Sequence, residues 1–135
     1  MQVFLPYPDF AKSVHCLDPK RLGNQVYREC VTLLNGGWPN HPASRMWCGF
    51  RYSLARYALA GIEELWLRGF DYPEHRAKFE SILDSEPDNG PPPWLGDERF
   101  HRSHQSNLVR KLPDWYRRFF PDVPSDLPYV WPSVT

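Results

Sequence analysis

The sequence predicts an all-α fold, and three observations carry that expectation. Apolar residues recur at three- and four-residue spacing through the middle of the chain, the period of a helix with one buried face. Asp-Pro and glycine punctuation marks where helices begin and end. No two alternating apolar and polar runs flank a short turn, so a β-hairpin has no sequence signal. Together these predict one compact domain over residues 1–135, with about four to six helices and an extended, Pro-rich C-terminal tail.

The first predicted helix starts at Asp18-Pro19, where a capping Asp precedes a Pro at the first helical position. It runs from Pro19 to about Leu34 and stops at Asn35-Gly36-Gly37. Pro39 and Pro42 punctuate the loop that follows. From Ala43 to about Arg68 one long helix is expected, because Trp47, Phe50, Leu54, Tyr57, Ala58, Ile62 and Leu65 fall on a single stripe. Gly49 and Gly61 either weaken that helix or admit a close neighbour, and Gly69 ends it. Pro73 opens a shorter helix to about Leu83, with Glu74, Lys78 and Glu80 on its wet side. Glu86–Gly96 reads as a Pro/Gly loop. Asp97 to Lys111 reads as a helix, and Pro113 begins a last one carrying Trp115, Tyr116, Arg117 and Arg118. Beyond Pro121, the residues Pro124, Pro128 and Pro132 predict an extended tail pinned by Tyr129 and Trp131.

Composition bounds the function. A hydrophobic content of 41% argues against a disordered chain. No uncharged apolar run approaches the roughly 18 residues of a membrane span. The opening MQVFLPYPDF lacks the basic and apolar regions of a signal peptide. Cys16, Cys30 and Cys48 are odd in number and form no metal-type pair, which predicts reduced thiols and a cytoplasmic location. A monomer is expected. The 16 basic and 16 acidic residues cancel, yet they are segregated. Residues 1–58 hold seven bases and three acids, a net +4; residues 59–98 hold three and ten, a net −7; residues 99–135 hold six and three, a net +3. A basic face beside an acidic flank lets a neutral protein grip phosphates, although such runs also arise as plain solvated helix faces.

Two constellations stand out. Arg110-Lys111 and Arg117-Arg118 bracket Trp115-Tyr116, and bases that meet phosphates beside rings that stack on bases suit a nucleic acid. On the first helix Asp18, Arg21, Gln25, Arg28 and Glu29 lie at helical spacing and share much of one polar face, which lines a site or faces water. His101 and His104, three apart, lack the second ligand pair of a zinc site. They are expected on the helix surface, in contact with phosphate or water, and no metal or other cofactor is expected.

Several blocks make the chain recognisable. His15 to Arg21, Met46–Phe70 and the Pro113–Phe119 run resemble the pyrimidine-dimer DNA glycosylases of the phage endonuclease V type over about half the chain. A fuller likeness, spanning nearly the whole chain, is to an uncharacterised phage and bacterial glycosylase-like family. Its motifs stand here as Phe4–Asp9, Leu17–Gln25, Asn40–Ala43, Pro92–Asp97, His101–Lys111 and Asp126–Pro132.

The resemblance implies a helical enzyme acting on double-stranded DNA with a damaged or modified pyrimidine. Its nucleophile is the N-terminal amine, which falls on Met1. It implies a carboxylate that assists strand scission, but the family's catalytic glutamate falls on Leu22, which leaves Asp18 and Glu29 as candidates. DNA or substrate contacts are expected from His15, Arg21, Gln25, His101, His104, Asn107, Arg110, Lys111, Trp115 and Arg117. Two other readings share these residues: an enzyme acting on a modified base or nucleotide without lyase chemistry, and a DNA-binding domain without catalysis.

Overall fold

In a computed structural model of the chain, residues 2–132 are described. They hold eight α-helical segments and no strand. Helix α1 (Phe10–His15) follows Asp9, whose carboxylate accepts the Lys12 N–H at 2.9 Å. At six residues it is too short to show a period. Helices α2 (Pro19–Asn24) and α3 (Cys30–Leu34) form one rod, joined by a π turn over Gln25–Glu29. Leu22, Val26, Cys30 and Leu33 recur along this rod and are buried.

The helix expected from Ala43 to Arg68 is broken in two. Helix α4 (Pro42–Met46) is capped by His41 and ends in a turn where Gly49 takes φ +83°, before α5 (Arg51–Leu67) begins. A left-handed residue ends an α-helix, and glycine adopts it without steric cost. The apolar stripe survives the break, with Trp47, Leu54, Tyr57, Ala58, Ile62 and Leu65 all buried. Helix α5 packs against α1, the α2–α3 rod and α6 (Pro73–Ser85). At Gly61 it lies so close to the π turn that an added Cβ would stand 2.5 Å from Val26 Cγ2. Helix α7 (Glu98–Lys111) is followed by the single turn of α8 (Pro113–Tyr116). Among the described residues no helix is long and apolar enough to cross a membrane.

Helix α7 buries an unusual set of polar residues, among them His101, Ser103, His104, Ser106 and Asn107. Two extended segments explain them. A buried segment outside a sheet must find side-chain partners for its N–H and C=O groups. Along the N-terminal segment, Gln25 accepts the Phe4 N–H at 2.9 Å and donates to the Gln2 carbonyl at 3.0 Å. Tyr57 donates to the Phe4 carbonyl at 2.8 Å. His104 Nδ1 accepts the Leu5 N–H at 2.9 Å, His101 Nδ1 donates to the Leu5 carbonyl at 2.7 Å, and Gln105 donates to the Pro6 carbonyl at 2.7 Å. On the C-terminal tail, Ser106 accepts the Leu127 N–H at 3.0 Å, Asn107 donates to the Leu127 carbonyl at 3.2 Å, and Ser103 accepts the Val130 N–H at 3.1 Å. One helix thereby ties down both extended ends of the chain.

Candidate functional site

The anchored N-terminal segment leads into a cleft. Gln2 forms part of the wall of a hollow of about 390 Å³. Lys20, Arg21 and Asn24 come from α2, Glu29 from the end of the π turn, and Lys111 from the end of α7. Tyr129 and Trp131 of the tail and His41 of the α4 cap close it. Single-turn π insertions in α-helices frequently mark functional positions, and here the π turn carries Gln25 at its start and Glu29 at its end. Glu29 and His41 also line an adjoining hollow of about 330 Å³ with Arg28, Thr32 and Trp38.

The electrostatics of the cleft are lopsided. Lys20, Arg21 and Lys111 face a single carboxylate, Glu29. Among the described residues neither Glu29 nor Arg28 has an ion-pair partner. Arg21 is held by Asp18 at 3.2 Å. A larger hollow of about 490 Å³ lies between α1, α5 and the Pro-rich loop. It offers one cation, Arg56, against Asp9 and Asp88, and both of those carboxylates already accept backbone N–H groups. The smaller cleft is the better candidate on chemistry, since it sets three cations against one carboxylate and, of these four, only Arg21 is engaged in an ion pair among the described residues.

The structure distributes the sequence candidates unevenly. Arg21, Gln25, Glu29 and Lys111 all border the cleft. Met1 lies outside the described residues. Gln25 is buried, and its amide grips the N-terminal segment rather than facing open space. Asp18 is 4% exposed and does not border the cleft. Its carboxylate does not cap α2; it accepts from the Tyr116 hydroxyl and from Arg21, while that hydroxyl accepts the Asp18 N–H at 3.0 Å. Burial, with the bond to Asp18, pushes the Tyr116 pKa well up. His15 sits on another surface with Glu64 at 3.1 Å, which Arg68 also holds at 3.0 Å.

The expectation that His101 and His104 lie on the surface is corrected: they are 4% and 0% exposed. Their tautomers are fixed by what they bind. His104 accepts through Nδ1, so its proton is on Nε2; His101 donates through Nδ1 and accepts the Gly96 N–H at Nε2. Burial lowers the pKa of both, that of His104 to about 3.

Asn107 and Arg110 hold the tail, Arg110 through the Ser125 carbonyl at 2.9 Å. Arg117 donates to the Phe120 and Pro121 carbonyls, both at 3.2 Å. Trp115 donates to the Cys16 carbonyl at 2.7 Å, with the Arg118 guanidinium 4.4 Å from its ring centre. Much of the expected DNA-contacting block thus holds chain to chain.

Seven further cleft residues were not among the sequence candidates: Gln2, Phe4, Lys20, Asn24, His41, Tyr129 and Trp131. Lys20 and Asn24 were legible as neighbours of Arg21 on one helix. His41 carried a signal as the residue before Pro42, where a cap is expected.

A family model described as pyrimidine dimer DNA glycosylase matches residues 1–79. That span holds the N-terminal segment, helices α1 to α5 and every cleft residue except Lys111, Tyr129 and Trp131. No curated protein and no solved structure matches the chain.

Proposed function

The chain belongs to the pyrimidine dimer DNA glycosylase family, and on that premise we propose that it excises a damaged pyrimidine from DNA at the Gln2–Lys20–Glu29 cleft. One observation carries the reading. Side chains from three helices hold residues 2–6 in the core and deliver Gln2 to the wall of the cleft, beside Lys20, Arg21, Lys111 and Glu29. Met1, whose α-amine is the nucleophile in this reading, directly precedes Gln2 in the sequence.

An α-amine titrates near 7.7–8.0, against about 10.4 for lysine, so a far larger share of it is neutral and nucleophilic at pH 7. Its nitrogen lone pair attacks C1′ of an extruded nucleotide. The N–C1′ bond forms, the glycosidic bond breaks, and the pyrimidine leaves with the electron pair and takes up a proton. Opening of the sugar at O4′ gives the imine. Glu29 then accepts the C2′ proton; the released pair forms C2′=C3′ and expels the 3′ phosphate. Water hydrolyses the imine and returns the amine. Glu29 suits the proton transfer better than Asp18, whose carboxylate is occupied by Tyr116 and Arg21. Lys20, Arg21 and Lys111 offset the phosphate charge.

Borohydride trapping on duplexes carrying an abasic site or a thymine dimer tests this. The protein with a free Met1 amine gives a covalent adduct, and one extended by Gly-Ser at its N-terminus does not. Glu29→Gln keeps the adduct but slows strand scission by about 10²–10⁴-fold, the usual contribution of a positioned general base. An adduct that persists in the extended protein and maps to Lys20 or Lys111 moves the nucleophile. Absence of any adduct with folded protein overturns the reading.

A further inference from the structure

We propose that the cleft and the adjoining hollow form one groove that binds two consecutive unpaired nucleotides of a single strand, the second stacked on Trp38. The proposal takes from the preceding reading only the class of ligand, DNA.

The two hollows share Glu29 and His41 as walls, and their volumes of about 390 and 330 Å³ are each in the range of a small-ligand site. Trp38 is 67% exposed, more than any other tryptophan among the described residues. It sits at φ +55° between Gly37 and Pro39, a left-handed conformation uncommon for a bulky residue. An indole held open to water over a hollow is a platform for another ring.

The cleft supplies the neighbouring platforms. Tyr129 and Trp131 have ring centres 5.6 Å apart, and Trp131 meets His41 edge-on at 5.8 Å. Cations share the walls with these rings: Lys20, Arg21 and Lys111 in the cleft, Arg28 in the adjoining hollow. His41 accepts the Ala43 N–H through Nδ1, which leaves the proton of the neutral ring on Nε2 as a donor where the two hollows meet. Rings and cations lining one groove track a single strand without reading its sequence, because every base has a stacking face and every link a phosphate. In an intact duplex those faces are covered by neighbouring bases, so Trp38 selects a strand already opened.

Fluorescence anisotropy of the full chain with labelled oligothymidylate, and with a perfect duplex of equal length, tests the groove across a salt series. The wild type is expected to bind the single strand more tightly than the intact duplex. Trp38→Ala weakens single-strand binding by about 5- to 150-fold, the range for loss of one stacked base, and Trp38→Phe retains most of it. Arg28→Ala reduces the salt slope by about 0.7, one phosphate contact on a single strand. Both side chains are exposed, so thermal melts of these variants match the wild type.

Equal single-strand affinity of Trp38→Ala and wild type overturns the proposal, as does absence of single-strand binding by the wild type. The excision reading stands or falls separately. A trapped adduct with Trp38-independent binding removes only the groove; Trp38-dependent binding without an adduct removes only the excision.

Discussion

His104 makes one hydrogen bond on which the placement of the N-terminal segment depends, and it can make that bond only while Nδ1 is unprotonated. Burial holds its pKa at about 3, against about 6.5 in the unfolded chain. His101, one turn earlier, is shifted in the same direction, again by burial. A lowered folded-state pKa means that the unfolded chain binds the proton first as pH falls. Stability therefore reaches its full value above about pH 6.5 and declines as pH drops from there toward 3, by an amount on the order of 5 kcal/mol for His104. Urea titrations at stepped pH check this. His104→Gln keeps an acceptor without a titrating ring, and its midpoint is expected to vary less with pH across the same window. If the two proteins show the same pH dependence, the His104–Leu5 bond does not govern acid stability.

At the scale of elements, the crossing of α5 over the π turn rests on the missing Cβ of Gly61. Gly61→Ala places a methyl 2.5 Å from Val26 Cγ2, in a buried contact with no slack. Overpacking of this kind costs about 1–3 kcal/mol. Paired with Val26→Ala, which removes the methyl it strikes, part of that loss returns; thermal melts of the two singles and the double measure the coupling. The sequence announced this approach only as one of two options for a glycine inside a helix.

It was a fuller guide to helices with marked ends: the rod from Pro19 to Leu34 and α6 after Pro73 start at their prolines, and α7 starts after the Asp97 cap, although the Asp18 carboxylate expected to cap the rod binds Tyr116 and Arg21 instead. The break before Arg51 escaped because apolar spacing continues through Trp47 and Phe50, while only the backbone at Gly49 turns away. The cleft was half legible. Arg21, Glu29 and Lys111 stand out as charged residues on helices, but His101, His104 and Asn107 have the same helical spacing whether they meet water or a remote backbone. His104 meets Leu5, 99 residues earlier, and no local pattern encodes that partner.

On the scale of the whole molecule, zero net charge conceals a division of labour between segments. The four cations of the two hollows come from positions 20, 21, 28 and 111, all in the two positively charged segments. The acidic segment supplies α6 and its exposed Glu74 and Glu80. Helix α7 connects the arrangement, since it holds the N-terminal segment and the tail while its own last residue, Lys111, reaches the cleft. DNA affinity should then follow the cleft cations and not the overall charge. Each phosphate contact on duplex DNA contributes about 0.9 to the fall of log affinity with log salt. Lys20→Ala with Lys111→Ala is expected to lower that slope by about 1.8, whereas Lys78→Ala on exposed α6, an equal change in charge per residue, leaves it unaltered. Binding isotherms on a lesion-bearing duplex over a salt series measure all three. A slope that responds equally to Lys78 and to the cleft lysines would mean that DNA meets the molecule through diffuse charge, and the cleft would lose its claim to the phosphates.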